Sequence, residues 1–471
     1  MKIIHIASEI NPFAKTGGLA DVVGSLPASI SRLGHKVVMF MPLYKQVSEK
    51  YSLEFYSDFP LHTSQGIKTV LIKKKVIDKD TTLYFIGEHS YFFRDVIYGD
   101  YVDNAERFSF FCRAVLAFIK KEDLSPQVIH CHDWQSALVP LYARQDRYFE
   151  KTCFGYTIHN LAYQGVFPYE KIHQISLDPS FFTPDKLEFY GKINFMKAGV
   201  IYSDFINTVS PTYRDETLTS KFGWGLEGLL DTRSKDYYGI VNGLDYTEWD
   251  PANDPDIFVK YDSLSLRKKE ENRKKIMKKS NLLVRPGKAL FVAITRLADQ
   301  KGMDLLVHAV HKIAASGHSF ILLGSGEKRY EDMFLHLEKT YKDKVRCYMK
   351  YDFAMAHKLY AAGDFFLMPS KFEPCGLSQL ISFRYGNIPI VRKTGGLADT
   401  VENISENLSS GDGIVFEDYN TKSIDKAIEK AFEVYKSDSF DAIRKRIMLN
   451  DFSWERTAKK YISLYERYSN A

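Results

Sequence analysis

KTGGLAD occupies residues 15–21 of this 471-residue chain, and the same seven residues return at 393–399. Each copy follows a short apolar run, at residues 3–8 and 388–391, and precedes an amphipathic segment, at residues 22–33 and 397–404. An apolar run, a glycine turn and an amphipathic segment in this order are typical of a buried strand followed by a helix. The repeat therefore predicts one strand–turn–helix unit near each end of the chain.

The glycine turn of each copy also indicates a ligand site. Paired glycines let a ligand approach the backbone closely, and the first N–H groups of a helix favour an anion. A tight turn without any ligand is the alternative interpretation. Three features favour a ligand: the lysine, the identity of the two copies and their mirrored positions. We therefore expect the two copies to form the two sides of one cleft.

Apolar runs of strand length alternate with helix-like segments in both halves of the chain. In the first half they cover residues 36–41, 128–132, 154–159 and 205–209 besides residues 3–8, with a strand-rich excursion at 51–86. In the second half they cover residues 289–295, 319–323, 345–348, 365–368 and 388–391. This alternation predicts right-handed crossovers, parallel sheets and ligands at the carboxyl ends of the strands. We predict an α/β fold with two Rossmann-like, doubly wound domains facing a central cleft.

Residues 242–262, which are rich in Pro, Asp and Asn, indicate the domain boundary. We place an N-terminal domain at residues 1–243, a C-terminal domain at 244–454, and a final helix at 455–471 that crosses back onto the first domain. The basic segment 267–279 predicts a solvated helix instead of a nucleic-acid patch, because Glu270 and Glu271 interrupt its positive charge.

Composition excludes several classes of protein. A net charge of +5 is too small for this length to indicate nucleic acid as a partner. Five widely spaced cysteines without a CxxC pair fit a reducing compartment, and no apolar stretch approaches the ~20 residues that span a bilayer. We expect a cytoplasmic protein with no membrane partner. No residue pattern determines its oligomeric state.

Candidate catalytic side chains follow the predicted strands. Arg296 and Lys301 flank a helix start, where they can neutralise a diphosphate. Glu373, in FEPCGL, can serve as a general base, a nucleophile or a ligand for hydroxyl groups, and the turn after it can point amides into the cleft. The first half offers Lys15, the HCHDW segment at 130–134, and His159.

We expect neither a metal ion nor a cofactor. The HCHD cluster alternates along a strand end and matches no zinc-binding spacing. The D-x-D pairs at 78–80 and 254–256 lie in turn-like sequence, so we interpret them as turn formers. A bound diphosphate would then be neutralised by Lys and Arg alone.

Seven segments together resemble one known family: KTGGLADVVGSLP at 15–27, YFFRDVIYGDYVDNAERFSFF at 91–111, HCHDWQSALVP at 130–140, TIHNLAYQG at 157–165, GIVNGLDYTEWDP at 239–251, TRLADQKGMDLL at 295–306, and KFEPCGLSQLISFRYGNIPIVRKTGGLADTV at 371–401. They are similar to the bacterial glycogen synthases, relatives of the plant starch synthases. The resemblance implies a GT-B fold and transfer of glucose from ADP-glucose to the non-reducing 4-hydroxyl of an α-1,4-glucan such as glycogen, with retention of configuration.

The resemblance also implies a role for each matching residue. The implied catalytic residues are Lys15, His159, Arg296, Lys301 and Glu373, with Arg296 and Lys301 on the diphosphate and His159 near the glucose 6-hydroxyl. The implied donor contacts are Gly17, Gly18, Tyr351 (stacked on adenine), Cys375, Gly376, Leu377, Thr394 and Gly395. The implied sugar and acceptor side consists of Tyr91, Asp133, Trp134 and Asn242.

The sequence departs from the pattern of related enzymes at a few positions. The second carboxylate that follows eight residues after the first in related GT-B enzymes is here Ile381, which favours a front-face reaction over a double displacement. Lys371 and Trp224 also differ from the family pattern, at positions that are not expected to take part in the chemistry.

Three alternatives stay open from the residues. They are a GT-B transferase with another donor such as UDP-glucose, a non-catalytic glucan-binding scaffold, and an α-glucan phosphorylase. The phosphorylase would need a lysine for pyridoxal phosphate, and no motif for one is recognisable.

Overall fold

The computed structural model describes residues 1–469, which form two compact units. The N-terminal unit contains Met1–Val209, Arg214–Gly243 and the C-terminal helix that begins at Trp454. The C-terminal unit contains Ser210–Tyr213 and Leu244–Ser453.

Residues 1–243 alternate strands and helices from the start. The strands are β1 (Lys2–Ile6), β2 (Lys36–Pro42), β3 (Glu54–Thr63), β4 (Gly66–Asp78), β5 (Thr81–Gly87), β6 (Val128–His132), β7 (Cys153–Ile158), β8 (Val166–Pro168), β9 (Glu188–Phe189), β10 (Lys192–Asn194), β11 (Phe205–Thr208) and β12 (Tyr237–Gly239). The α-helices are α1 (Gly18–Arg32), α2 (Lys45–Lys50), α3 (His89–Phe92), α4 (Asn104–Lys121), α5 (Leu138–Ala143), α6 (Phe195–Tyr202), α7 (Pro211–Thr217) and α8 (Glu227–Thr232).

The main sheet of the N-terminal unit has the strand order β12-β11-β7-β6-β1-β2-β5-β4-β3. Strands β12 to β5 in this order pair in parallel, while β4 and β3 form an antiparallel extension. The central strands are almost completely buried, as expected of a parallel sheet with helices on both faces. This arrangement brings the carboxyl ends of β1, β6 and β7 to one edge, where the site residues lie.

The C-terminal unit repeats the architecture with a smaller sheet. Its strands are β13 (Leu290–Ile294), β14 (Ser319–Leu323), β15 (Val345–Tyr348), β16 (Phe365–Met368), β17 (Ile388–Arg392) and β18 (Ile414–Phe416), all parallel in the order β15-β14-β13-β16-β17-β18. The helices are α9 (Arg267–Lys279), α10 (Met303–Ala315), α11 (Lys328–Thr340), α12 (Phe353–Ala362), α13 (Ser378–Arg384), α14 (Gly395–Thr400), α15 (Thr421–Lys436) and α16 (Phe440–Ile447). The last helix, α17 (Trp454–Ser469), packs on α1.

Two parallel α/β units confirm the predicted fold class, and each KTGGLAD copy does join a strand to a helix. Two boundaries were wrong. Helix α1 begins at Gly18 instead of residue 22, so the second glycine lies in the first helical turn. Helix α14 ends at Thr400 instead of residue 404, because Ile404 and its neighbours pair with Gly413 in extended conformation.

The basic helix α9 has the predicted bounds but is less solvated than predicted. Lys269 is buried, and its ammonium donates to the carbonyls of Tyr360 (3.0 Å) and Ala361 (3.1 Å) at the end of α12. Arg273 is also buried and pairs with Asp364 at 3.2 Å. A charge count could not reveal that these two cations are buried and bonded inside the unit.

Within residues 1–469, no helix is long and apolar enough to cross a membrane.

Candidate functional site

Lys301 and Glu373 form a close ion pair in the C-terminal unit. Lys301 lies in a short helical turn after β13, and Glu373 follows β16, the strand next to β13 in the sheet. The ammonium donates to Oε1 at 2.9 Å and to Oε2 at 2.6 Å of Glu373, and Ser370 donates to Oε2 at 3.0 Å. The two side chains are 19% and 8% exposed. The sequence predicted both residues for the site, and the fold brings them into contact.

The second KTGGLAD turn packs directly against the Glu373 loop. Gly395 has a φ of +43°, and a Cβ there would lie 2.1 Å from the carbonyl oxygen of Glu373. The amide of Gly396 donates to that same carbonyl at 3.0 Å. Packing within the protein therefore requires glycine at position 395. The sequence predicted that amides of this turn could bind an anion, but the Gly396 amide is already bonded to a carbonyl.

The other expected site residues of the C-terminal unit differ in their exposure. Cys375 is buried, and Gly376 has a φ of +76°, which turns the chain into α13 at Leu377. Thr394 is buried beside Gly395. Arg296 is exposed just after β13, and its guanidinium makes no hydrogen bond or ion pair to residues 1–469. Tyr351 is 78% exposed.

The first KTGGLAD copy has a different environment despite its identical sequence. Lys15 pairs with Asp21 of the same copy at 2.6 Å. In the second copy Lys393 pairs with Glu417 at 2.9 Å, while Asp399 accepts two hydrogen bonds from Thr212, at 2.7 and 2.8 Å. Identical residues thus serve different contacts in the two units.

Glu9 holds the first glycine turn and was missed by sequence reasoning. Its carboxylate accepts from the Thr16 hydroxyl at 2.8 Å, from the backbone amides of Thr16 and Gly17, and from Tyr98 at 2.7 Å. Burial raises the pKa of Glu9, and these hydrogen bonds oppose the rise. Glu9 therefore occupies the amides of Thr16 and Gly17, which precede α1. A buried acidic residue right after an apolar strand was the available signal.

Gly17 is not required by the fold around it. Its φ of −157° is open to any residue, and a Cβ would meet no atom of residues 1–469 within 4 Å. The adjacent Gly18 is exposed and begins α1. Close approach of a ligand remains a physical reason for glycine at position 17.

Asp133 and His159 lie at the ends of neighbouring strands β6 and β7. The Asp133 carboxylate accepts from the His159 amide at 2.8 Å and from the amide of Asn160. Burial raises the pKa of Asp133 to about 7 and lowers that of His159 to about 3. Asp133 also has a φ of +56°, a strained conformation that is common at functional sites. His159 is therefore neutral near pH 7, so it serves as a hydrogen-bonding group and not as a cation.

Three histidines close to His159 have ring nitrogens within 4.8 Å of one another: His5, His130 and His132. Their ring planes are nearly parallel, with interplanar angles of 11° to 23°. Their ring nitrogens are already engaged within the protein: His5 Nδ1 lies 3.0 Å from His132 Nε2, and His130 bonds Thr157 and Tyr465, both at 2.6 Å. In the second such group, Asp254, Asp256 and His357, the Asp254 carboxylate accepts from the Asp256 amide at 2.8 Å and from His357 of α12 at 2.7 Å.

A cavity of about 440 Å³ opens in the N-terminal unit beside Trp134. Aromatic and amide side chains dominate its lining, which consists of Asn104, Trp134, Ala162, Tyr163, Gln164, Gly165, Val166, Phe167 and Trp224. Gln164 donates to the Trp224 carbonyl at 3.2 Å and accepts from Asn194 at 2.6 Å. The sequence placed Trp224 away from the chemistry, whereas the fold places it in the same cavity as Trp134.

Tyr91 and Asn242, the remaining residues predicted for the sugar and acceptor side, are both buried. Tyr91 packs beneath the surface, where its hydroxyl donates to Glu106 at 2.8 Å, and it does not line the cavity. The Asn242 side chain is buried, and its Oδ1 accepts no hydrogen bond from residues 1–469. An unpartnered buried oxygen is uncommon and points to an absent partner.

Two family models match most of the chain. Residues 2–232 match the family described as "Starch synthase catalytic domain", and residues 272–442 match "Glycosyl transferases group 1". Among curated proteins, the chain is 43% identical to the glycogen synthase of Pseudothermotoga lettingae, over 99% of this chain and 98% of that protein. It is 41% identical to the glycogen synthase of Thermotoga maritima, over 99% of both chains.

Among solved structures, the chain is similar to the catalytic domain of Starch Synthase IV from Arabidopsis thaliana, bound to ADP and acarbose. The TM-score is 0.93 at 35% identity, and the match covers 100% of this chain and 99% of that one.

Proposed function

Because this chain belongs to the family of glycogen and starch synthases, and is thus a glycosyltransferase, we propose that it transfers glucose from ADP-glucose to the non-reducing 4-hydroxyl of an α-1,4-glucan. The observation that carries the proposal is the Lys301–Glu373 pair in the C-terminal unit, together with the exposed Arg296, whose guanidinium has no partner among residues 1–469. This group of charges suits a ligand that has both phosphates and hydroxyl groups.

In this proposal Arg296 and Lys301 neutralise the diphosphate as the glucosyl bond breaks. Arg296 is free to form a bidentate contact with phosphate oxygens, and Lys301 supplies a compact charge. Positive charge aimed at a leaving diphosphate stabilises the transition state more than the ground state. Glu373, anchored by Ser370, accepts hydrogen bonds from the sugar hydroxyls, helped by the backbone near Cys375, Gly376 and Leu377. Thr394 and Gly395 support this loop.

Tyr351 stacks on the adenine. Its ring is 78% exposed, so it is accessible to a flat ligand. Any nucleotide base can stack on an aromatic ring, so this contact does not distinguish an ADP donor from a UDP donor. Experiment has to decide between the two donors.

The N-terminal unit supplies further donor contacts in this proposal. Lys15 and the Gly17–Gly18 turn contact the donor, and the open space at Gly17 supports a close approach. Neutral His159 meets the glucose near its 6-hydroxyl. Asn242 Oδ1, which has no partner among residues 1–469, accepts a hydrogen bond from the ligand.

The aromatic cavity is the proposed acceptor site. The C–H faces of glucose pack well on aromatic rings, and amide side chains bind the hydroxyl groups along its edges. Trp134 and Trp224 provide two such rings, and Asn104 and Gln164 provide the amides. Asp133 lies next to Trp134 in sequence and joins the acceptor side, and Tyr91 supports that side from beneath the surface.

Retention of configuration follows by a front-face route in this proposal. Position 381, eight residues after Glu373, is a buried isoleucine, so no second carboxylate stands there to form a glycosyl-enzyme intermediate. The C1–O bond to the diphosphate breaks, the acceptor O4 bonds to C1 on the same face, and the acceptor proton passes to the leaving phosphate oxygen.

Elongation of a fluorescent maltooligosaccharide tests the proposal. We expect ADP-glucose to add α-1,4-linked residues to its non-reducing end, and Glu373→Gln to abolish the addition while the oligosaccharide still binds. Binding without addition by the unaltered protein would favour the scaffold. Addition from glucose 1-phosphate, with a bound chromophore, would favour a phosphorylase.

A further inference from the structure

Three buried histidines of the N-terminal unit form a hydrogen-bonded row that ends at the proposed sugar-binding histidine. His5 Nδ1 lies 3.0 Å from His132 Nε2, and His132 Nδ1 lies 3.1 Å from His159 Nε2. His5 and His132 are fully buried, whereas His159 retains slight exposure. The row therefore connects the interior of the sheet to the edge where ligands bind.

The sheet register explains why these residues meet. His5 in β1 is paired with His130 in β6, and His132 is paired with Thr157 in β7. Side chains of a strand alternate between the two faces of the sheet, so His130 and His132 lie on the same face as His5. By the same alternation, Thr157 of β7 and His159, the residue just after β7, lie on one face. Each step from His5 to His132 to His159 crosses to the next strand and moves two residues toward the carboxyl edge.

All three rings are neutral near pH 7, so each carries a single proton. Burial lowers the pKa of His5 and His159 to about 3 and holds that of His132 well below its usual range. With one proton per ring, the direction of each hydrogen bond fixes the direction of the next. The row has only two consistent states.

The far end of the row distinguishes the two states. His5 Nε2 is buried without a hydrogen-bond partner among residues 1–469. If His159 donated from Nε2 to His132, then His132 would donate to His5 and the His5 proton would lie on that unpartnered Nε2. In the opposite direction His5 donates from Nδ1, and its Nε2 is a bare lone pair. An orphaned buried N–H donor is rarer and costlier than an under-used acceptor.

His130 does not interfere with this row, although it stacks on His132. Thr157 donates to Asn207 Oδ1 at 2.8 Å, so Thr157 must accept from His130 Nε2 at 2.6 Å. His130 Nδ1 then accepts from the Tyr465 hydroxyl at 2.6 Å. Both nitrogens of His130 are thus engaged in a separate chain.

We infer that His5 and His132 are positioning residues that hold His159 in the tautomer protonated on Nδ1, so that His159 presents a hydrogen-bond donor to its ligand. The inference rests on the proposed function for the identity of that ligand, a sugar hydroxyl oxygen. The tautomer itself depends only on the row. Sequence patterns do not reveal it, because the three residues are separated by more than a hundred positions at the first step.

The test is the long-range ¹H–¹⁵N correlation spectrum of protein labelled with ¹⁵N-histidine, recorded without substrate. His159 is assigned by the signals that disappear in His159→Gln. We expect its Nδ1 to have the shift of a protonated nitrogen and its Nε2 that of an unprotonated one. Protonation at Nε2 would overturn the inference.

Substitutions at position 5 test the role of the row. In His5→Asn the side-chain amide nitrogen takes the place of Nδ1 and still donates, so the His159 tautomer should persist. His5→Leu removes the donor, and we expect mixed His159 tautomers and an about tenfold lower kcat/KM for ADP-glucose, without an equal loss in His5→Asn. The matched control is Tyr465→Phe, which removes an equally buried hydroxyl from the separate His130 chain and should leave the His159 signals unchanged.

The outcomes separate this inference from the proposed function. A single Nδ1-protonated tautomer in both the unaltered protein and His5→Leu would overturn the role of His5. If His5→Leu does not fold, the unaltered protein and His5→Asn still decide, because loss of the tautomer in His5→Asn contradicts the row. The predicted tautomer in a protein that transfers no glucose would reject the proposed function and retain the row.

Discussion

Lys301 donates to both carboxylate oxygens of Glu373, at 2.9 and 2.6 Å, in a loop pair where each side chain is less than one-fifth exposed. Among residues 1–469, the other side chain that donates to the Glu373 carboxylate is Ser370, whose hydroxyl is neutral. The pair therefore places a cation and a carboxylate side by side, which suits a ligand that has both phosphates and hydroxyl groups.

Lys301→Ala should lower kcat by about 10²- to 10³-fold, because it removes a cation from the leaving diphosphate and leaves Glu373 without its partner. Steady-state kinetics with ADP-glucose and glycogen measure the effect. Lys371→Ala is the matched control, since Lys371 forms a similar 2.6 Å pair with Asp299 at the surface of the same loop region. Equal losses in the two variants would contradict the role given to Lys301.

The duplicated heptapeptide offers a second matched pair. Lys15→Ala should lower turnover by about 10²-fold or more, because Lys15 is proposed to contact the donor. Lys393→Ala alters the same position of the second copy, where the lysine pairs with exposed Glu417, and should stay within about twofold of the unaltered enzyme. Similar activity of Lys15→Ala and Lys393→Ala would show that the first copy has no special role.

Asp133 makes stability depend on pH. Its pKa of about 7 in the folded protein lies above the unfolded value of 3.8, so the folded state holds a proton that the unfolded state has lost between these values. Stability from this group is therefore fully present below about pH 4 and is lost as the pH rises to about 7.

Asp133→Asn removes this titration while it preserves an acceptor for the His159 amide. We expect its melting temperature to exceed that of the unaltered protein by several degrees at pH 8, at ~2–4 °C for each kcal/mol. The difference should shrink toward pH 4, and activity should fall because a proposed site residue is altered. Thermal scans across this range provide the measurement, and a difference that is the same at every pH would refute the assignment.

Trp224→Ala should weaken binding of the glucan and leave binding of the nucleotide sugar unchanged. Loss of one aromatic face in the cavity is expected to raise the KM for glycogen about three- to tenfold, with the KM for ADP-glucose changed less than about twofold. Phe55→Ala removes an exposed aromatic ring from β3, outside the cavity, and is the control. A rise in both KM values, or an equal effect of Phe55→Ala, would place the acceptor elsewhere.

Buried parallel strands were predictable because their apolar runs are continuous and bounded by polar residues. β14, β15 and β16 have the predicted limits, whereas α14 is shorter than its apolar pattern indicated. Pairing of residues 401–404 with a segment about ten positions later overrides the helical pattern there. Such pairing is a property of the folded unit and is not visible in local periodicity.

The candidate site was only partly predictable for a related reason. Lys301 and Glu373 each follow a strand, so their meeting at one sheet edge could be expected from topology. The support of the first glycine turn by Glu9, the burial of Lys269 and the row from His5 to His159 all join residues distant in sequence. These contacts depend on register and packing, which single-residue patterns do not contain.

The most direct test of the account is incorporation of labelled glucose into glycogen from ADP-glucose and from UDP-glucose in parallel reactions that contain EDTA. We predict strong transfer from ADP-glucose that does not depend on a divalent metal. Transfer from neither donor would contradict the account, and transfer from UDP-glucose alone would retain the fold but contradict the proposed substrate.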